Sequence, residues 1–231
     1  MELKILAIIP ARGGSKGVLR KNIREFAGQP LISWTIREAQ KSKYITKLIV
    51  SSEDDEIIEV AKACGCAVPF KRPFELALDS TPGIDPVLHA IQLCPGYDYV
   101  VLLQPTSPLR TVEDIDGCIE YALNHNAKLC VSVTEPSKSP YWMYTVADDG
   151  MMKPLIEQET PISNRQNLPK IYALNGSIYI GKVEVILKER SFVTSETIGY
   201  IMPPEHSFDI DTEMDFIICE QIFRQKNVES T

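Results

Sequence analysis

The sequence predicts an α/β fold, a largely parallel, twisted sheet wrapped by helices, and three observations carry that expectation. Apolar strand-like runs alternate with helical patterns along most of the 231 residues. The strand runs are continuous rather than alternating, Tyr99-Val100-Val101-Leu102-Leu103 being the clearest, which signals burial on both faces. The first run, Ile5 to Ile9, breaks at Pro10 into a loop rich in glycine and cations.

Strands are expected at Ile5 to Ile9, Lys47 to Ser51, Ala67 to Phe70, Tyr99 to Leu103, Leu129 to Val133, Ser177 to Ile180 and Thr197 to Met202. Helices are expected at Leu31 to Lys41, Asp54 to Cys64, Ile84 to Leu93, Val112 to Asn124, Val183 to Lys188 and Glu213 to Phe223, with a polar, frayed tail after Arg224. At 44% hydrophobic, the chain suits one domain over 1–231. Residues 135 to 172 break the rhythm with five prolines and an Asp148-Asp149-Gly150 turn, too long for an ordinary α/β connection. Within them Tyr141 to Ile156 reads as a hairpin-like excursion, a lid or an oligomer contact, because Tyr141, Trp142, Met143 and Tyr144 are too apolar to be left in water.

Composition excludes several classes. A net charge of −7 argues against broad nucleic-acid binding. No apolar run approaches the ~20 residues of a membrane helix, and no cleavable leader opens the chain, so a cytoplasmic location is expected. The six cysteines are scattered and lack a zinc pattern, which suits reduced, packed thiols. The three histidines form no ligand spacing, and His89 on a helical stretch reads as structural.

Four constellations carry chemistry. The loop after the first strand holds Arg12, Gly13, Gly14, Ser15, Lys16, Gly17, Arg20, Lys21 and Asn22. Glycines let backbone N–H groups approach phosphate oxygens, and the cations neutralise them. The loop is neither a Walker loop nor a dinucleotide loop, and a solvated strand–helix connection would use similar residues. Three or four cations around three glycines tilt the reading toward phosphate. The second constellation is Gln104-Pro105-Thr106-Ser107-Pro108-Leu109-Arg110 beyond a buried strand, where open α/β sheets bind ligands, with Gln104 directed into the crevice and Arg110 as a cation. Thr111-x-x-Asp114 reads as a helix cap.

The third is Asp209-Ile210-Asp211, whose carboxylates on an extended chain face one way and suit a hard cation, Mg²⁺ first beside phosphates. Capping of the next helix by Asp211 or Thr212 is the competing reading. The fourth is Asn175-Gly176-Ser177-Ile178-Tyr179-Ile180, preceded by Arg165-Gln166-Asn167-Leu168-Pro169. It combines a turn signal with hydrogen-bonding groups for a polyhydroxylated ligand.

Together these blocks resemble the acylneuraminate cytidylyltransferases, or CMP-sialic acid synthetases. The resemblance runs through residues 9–22, 71–81 (KRPFELALDST), 102–110, 165–169, 175–180 and 208–215, six blocks in order along nearly the whole chain. It implies a Rossmann-like nucleotidyltransferase domain with a mixed, mostly parallel seven-stranded sheet and a small dimerisation lobe at the excursion, hence a homodimer. It implies transfer of CMP from CTP to the anomeric hydroxyl of a nonulosonic acid, a nine-carbon 2-keto acid sugar, with release of pyrophosphate. On that resemblance Arg12, Gly13, Ser15, Lys16 and Lys21 take the triphosphate, with Arg12 and Lys21 offsetting charge on the leaving group. Asn22 and Arg72 take the cytosine side, and the backbone near Thr81 and Gly83 closes the base pocket. Asp209 and Asp211 hold Mg²⁺. Gln104, Asn175 and Tyr179 line up with sugar-binding positions, Arg165 with a cation for the sugar carboxylate, and Phe192 with an aromatic reaching the neighbouring subunit's sugar pocket. No histidine or cysteine is suited as the base, and a metal-bound hydroxyl or water is expected in its place.

Ala173 and Leu174 stand where some sialic acid enzymes carry an arginine and a different neighbour. Fewer cations there suit an altered acceptor such as 5,7-diacetyllegionaminic acid. Pseudaminic acid and KDO enzymes fit the blocks less well. A non-catalytic nucleotide-binding subunit would be expected to have lost a metal carboxylate or a phosphate cation, and Arg12, Lys21, Asp209 and Asp211 are all present. A pyrophosphorylase using UTP or GTP would differ in base preference, which Arg72 would report.

Overall fold

The computed structural model describes residues 3–157 and 164–229. Ten strands and six α-helices follow in chain order: β1 (Ile5–Pro10), β2 (Glu25–Phe26), β3 (Gln29–Pro30), α1 (Leu31–Lys41), β4 (Lys47–Ser51), α2 (Asp55–Ala63), α3 (Asp85–Leu93), β5 (Tyr99–Leu103), α4 (Val112–Asn124), β6 (Leu129–Thr134), β7 (Tyr144–Val146), β8 (Met152–Pro154), β9 (Ala173–Lys182), α5 (Val183–Glu189), β10 (Thr197–Ile201) and α6 (Glu213–Glu229).

The main sheet has six strands in the order β10-β6-β9-β5-β1-β4. β1 pairs in parallel with β4 and β5, and β10 with β6, while β9 runs antiparallel between β5 and β6. The continuous apolar strands are explained by cover on both faces. Ile5, Ala7 and Ile9 of β1 point to a core shared with α1, α2 and α4. Leu6 and Ile8 point to a second core shared with Val87 and Ile91 of α3 and Ile186 of α5. A third cluster joins Val18 of the first loop to Phe26, Leu109, Ile210, and Phe216 and Cys219 of α6. Edge-on ring contacts of Phe26 with Phe216 and Phe223, at 5.5 and 5.4 Å, pin α6 beneath the loop.

Three expectations are corrected. Ala67 to Phe70 is not a strand of the sheet, so the sheet has six strands rather than seven. Only Ala67 bridges to Ile49, because Pro69 lacks the N–H a further ladder bond needs. β9 starts at Ala173 rather than Ser177 because a register shift opposite Val131 and Val133 absorbs extra residues. The chain after Arg224 stays helical to Glu229. The excursion does form an antiparallel hairpin, β7 with β8, whose Tyr144, Val146, Met151 and Met152 are exposed. Among the described residues, no helix is long and apolar enough to cross a membrane.

Candidate active site

The described residues surround a cleft of about 570 Å³ beyond the carboxyl ends of β1, β4 and β5. The loop after β1 supplies Arg12, Ser15, Lys16, Gly17, Lys21 and Asn22, and the segment 72–83 supplies Arg72, Asp79, Thr81 and Gly83. The segment after β5 gives Gln104 and Thr106. Gly176 and Tyr179 of β9 and the pair Asp209 and Asp211 complete the wall.

The loop and the acidic pair meet directly. Lys21 donates to the Ile210 carbonyl at 2.5 Å, and its Nζ lies 3.4 Å from Asp211 Oδ1. The capping alternative for Asp211 is excluded by geometry. Thr212 and Asp215 cap α6 reciprocally, with Asp215 N donating to Thr212 Oγ1 at 3.2 Å and Thr212 N to Asp215 Oδ2 at 2.8 Å. The Asp211 carboxylate stays outside the cap and solvent-exposed. Asp209 opens onto the cleft, yet surrounding protein strips its hydration and pushes its carboxyl above the ordinary range. The charges of Asp211 and Asp215 add to that, while the Thr106 hydroxyl and Lys21 pull it back. Burial, and then the charge of Asp209, push the Tyr179 phenol up as well.

Across the cleft wall, Arg12 Nη1 and Lys16 Nζ both pair with Asp79, at 2.9 and 2.5 Å. Two buried atoms of the wall residues have no hydrogen-bond partner among the described residues, Arg72 Nε and Asn22 Oδ1. Asn22 Nδ2 donates to the Arg12 carbonyl at 3.0 Å, which fixes which end of the amide is left over. The unpaired atoms are therefore one donor and one acceptor. Cytosine presents an exocyclic N–H₂ donor and ring acceptors to match them, whereas uracil puts an acceptor at the amine's position.

Four expected site residues stand elsewhere. Gly13 is off the cleft wall, its N–H donating to Glu53 Oε1 at 2.8 Å. Asn175 is buried as the staple of the β9 irregularity. Its Oδ1 accepts from Ser132 Oγ at 2.6 Å and Ser177 N at 3.2 Å, and its Nδ2 donates to Ser207 Oγ at 3.0 Å and Met202 Sδ at 3.4 Å, so all four arms of the amide are taken. Gly176, with φ +72°, turns the chain there and meets the cleft instead. Phe192 is buried against Tyr179 of its own chain at 5.6 Å, not extended toward a neighbouring subunit. Arg110 is wholly buried, donating to the Gln104 and Ser177 carbonyls at 3.1 and 2.8 Å and to Thr35 Oγ1 at 2.9 Å. Burial pushes its guanidinium down to about 10, and it braces the strand end rather than meeting a ligand. The side chain of Arg165 lies outside the described residues. Sequence reasoning assigned no role to Asp79 or Glu53. Asp79 falls inside a block already singled out, and Glu53 follows β4 at the sheet edge where ligands bind.

Residues 6–226 match the model of the family described as Cytidylyltransferase. The chain belongs to that family. It is 37% identical over 226 residues to the CMP-N,N'-diacetyllegionaminic acid synthase of Legionella pneumophila, covering 95% of this chain and 96% of that one. It is 36% identical over 217 residues to the N-acylneuraminate cytidylyltransferase of Streptococcus agalactiae, covering 93% of this chain but only 52% of that one. The fold is similar to CMP:2-keto-3-deoxy-manno-octonic acid synthetase complexed with CTP, with a TM-score of 0.72, 16% identity, and 96% and 99% of the two chains covered.

The cytidylyltransferase cleft suits a divalent cation in its donor set. Two carboxylates beside a glycine-rich, cationic loop suit Mg²⁺, which takes one or two carboxylates and completes its shell from phosphate and water oxygens. Among the described residues no group of three or more His, Cys, Asp or Glu gathers into a metal cage, and a cation held by Asp209 and Asp211 would take its remaining ligands from elsewhere.

Proposed function

We propose that this cytidylyltransferase transfers CMP from CTP to the anomeric hydroxyl of a nonulosonic acid. The observation that carries the reading is a single cleft in which phosphate-loop cations, an acidic pair and an unpaired base-reading donor and acceptor converge. The acceptor oxygen bonds to the α-phosphorus, and the bond from that phosphorus to the oxygen bridging to the β-phosphate breaks. Pyrophosphate leaves with the electron pair, and the hydroxyl proton passes to solvent or a phosphate oxygen. Such a reaction asks the protein chiefly for positioning and charge neutralisation.

Arg12, Lys16 and Lys21 would hold the triphosphate and offset charge on the departing pyrophosphate. Arg72 and Asn22 would read cytosine while Thr81 and Gly83 wall the base. Mg²⁺ held by Asp209 and Asp211 would supply Lewis-acid neutralisation at the phosphate under attack. Gln104 and Tyr179 line the cleft on the acceptor side.

The legionaminic acid branch is favoured over sialic acid by the relative matched along nearly its full length, and by the uncharged Ala173-Leu174 pair at the start of β9. The exposed apolar β7–β8 hairpin supports a homodimer, since Val146, Met151, Met152 and Leu155 form a surface a second copy would cover.

Phosphorus NMR of the reaction mixture tests the chemistry. The expected products are one pyrophosphate and one phosphodiester per CTP consumed. CDP or free phosphate as the first product would contradict transfer at the α-phosphorus.

A further inference from the structure

We propose that Glu53 is a positioning residue for base recognition, holding Arg72 so that its Nε faces cytosine. This rests on the reading of the cleft as a CTP site. Glu53 sits just past β4, and both its oxygens are committed. Oε1 accepts from the Gly13 N–H at 2.8 Å, and Oε2 accepts from Arg72 Nη2 at 2.6 Å. The pair is nearly dry, with side-chain exposures of 3% for Arg72 and 10% for Glu53. Arg72 Nη2 also donates to the Ala11 carbonyl at 2.8 Å, and the Arg72 N–H donates to the Ser52 carbonyl at 2.8 Å.

These contacts clamp one edge of the guanidinium and leave Nε as a buried donor without a partner. A rigid fork held at one edge can present its remaining donor in only one direction. A guanidinium without that carboxylate would have several rotamers and a buried, unpaired charge. Glu53 thus joins the two halves of the nucleotide site: Oε1 fastens the start of the phosphate loop and Oε2 aims the base reader.

Glu53→Gln separates the two tasks. The amide oxygen can still accept from Gly13, but the amide nitrogen faces Arg72 donor to donor. The experiment compares wild type, Glu53→Gln, Arg72→Met and the double variant. It measures KM and kcat for CTP and UTP, inorganic pyrophosphate affinity by calorimetry, and melting temperature.

The expected result for Glu53→Gln is a rise of about tenfold in KM for CTP, scaled to a lost charged hydrogen bond, with an equal loss of preference over UTP. Pyrophosphate affinity stays within about twofold, the phosphate-side bond being kept. The double variant is no worse toward CTP than Arg72→Met alone, because Glu53 acts through Arg72. Unchanged CTP preference in Glu53→Gln, or additive losses in the double variant, would overturn the proposal. So would parallel loss of CTP and pyrophosphate affinity with a lowered melting temperature, which marks a merely structural residue. Wild-type protein that shows no preference for CTP would instead remove the underlying reading of the cleft.

Discussion

Gly17 lies directly against the backbone of Asp211. A β-carbon at Gly17 would fall inside the van der Waals radius of the Asp211 carbonyl oxygen, and a backbone atom cannot swing away as a side-chain tip could. The phosphate loop is therefore seated on the acidic pair by contact at a residue without a side chain. Lys21 reinforces the seat through the Ile210 carbonyl. Gly17→Ala is expected to displace the loop and lower kcat/KM on the order of 100-fold, the scale of an ångström-sized misplacement. The far-ultraviolet spectrum stays native because the sheet cores are elsewhere. Steady-state kinetics with circular dichroism check this, and a fully active variant would show that the contact does not set the loop.

Asp79 occupies the cations that a triphosphate would need. Arg12 and Lys16 both pair with it, and all three side chains are well exposed, so the pairs are weak in water. Lys16 first, and Arg12 after it, hold the Asp79 carboxyl below its usual range. Asp79→Asn removes the competitor without disturbing any buried group. Pyrophosphate binding is expected to tighten by about threefold, in keeping with a surface pair worth under ~1 kcal/mol, and the gain should shrink as salt is added. Calorimetry at two ionic strengths measures it. Weakened binding would show that Asp79 orients the cations instead of occupying them.

Asn175 is a stability residue. Asn175→Ala leaves Ser132 Oγ and the Ser177 N–H without their shared acceptor inside the sheet. The expected loss is about 2–3 kcal/mol of unfolding free energy, the cost of buried polar groups left unpaired. Denaturant titration gives the number. A selective rise in the acceptor KM with full stability would return Asn175 to the sugar site.

Asp209 is expected to cost the fold some stability. Its folded carboxyl titrates above the ordinary range, chiefly through lost hydration, so the charged form is disfavoured relative to the unfolded chain. That penalty is fully present above the raised value. It disappears as pH falls below the unfolded value, where the group is protonated in both states. Asp209→Asn is therefore expected to raise the melting temperature near pH 7.5, with no gain near pH 3, while abolishing turnover. Thermal melts at the two pH values decide it. A lowered melting temperature at neutral pH would mean that Lys21 and Thr106 outweigh the desolvation.

Much of this arrangement was legible in the chain. Continuous burial of β1 and β5, the glycine-cation loop, and the Asp209-Ile210-Asp211 spacing mark residues that line the cleft. Local pattern could not distinguish a group that contacts a ligand from one that braces the wall. Arg110 and Asn175 carry the residue types of a binding site, but apart from Gln104, six residues before Arg110, their partners Ser177, Ser132 and Ser207 are brought to them by the placement of the antiparallel strand β9. Strand direction and register are long-range properties, and the Asn-Gly signal that marked a turn became a sheet irregularity for that reason. Glu53 was missed because its partners, Gly13 and Arg72, are 40 and 19 residues away.

The central claim, transfer of CMP from CTP to a nonulosonic acid, is met most directly by pyrophosphate release with CTP and Mg²⁺. N-acetylneuraminic acid, 5,7-diacetyllegionaminic acid and KDO would be offered side by side. The account predicts release that requires both CTP and a nine-carbon acid, fastest with the legionaminic acceptor and absent in Asp211→Ala. Release at the same rate without any sugar, or none with all three acids from protein that still binds CTP, would contradict it.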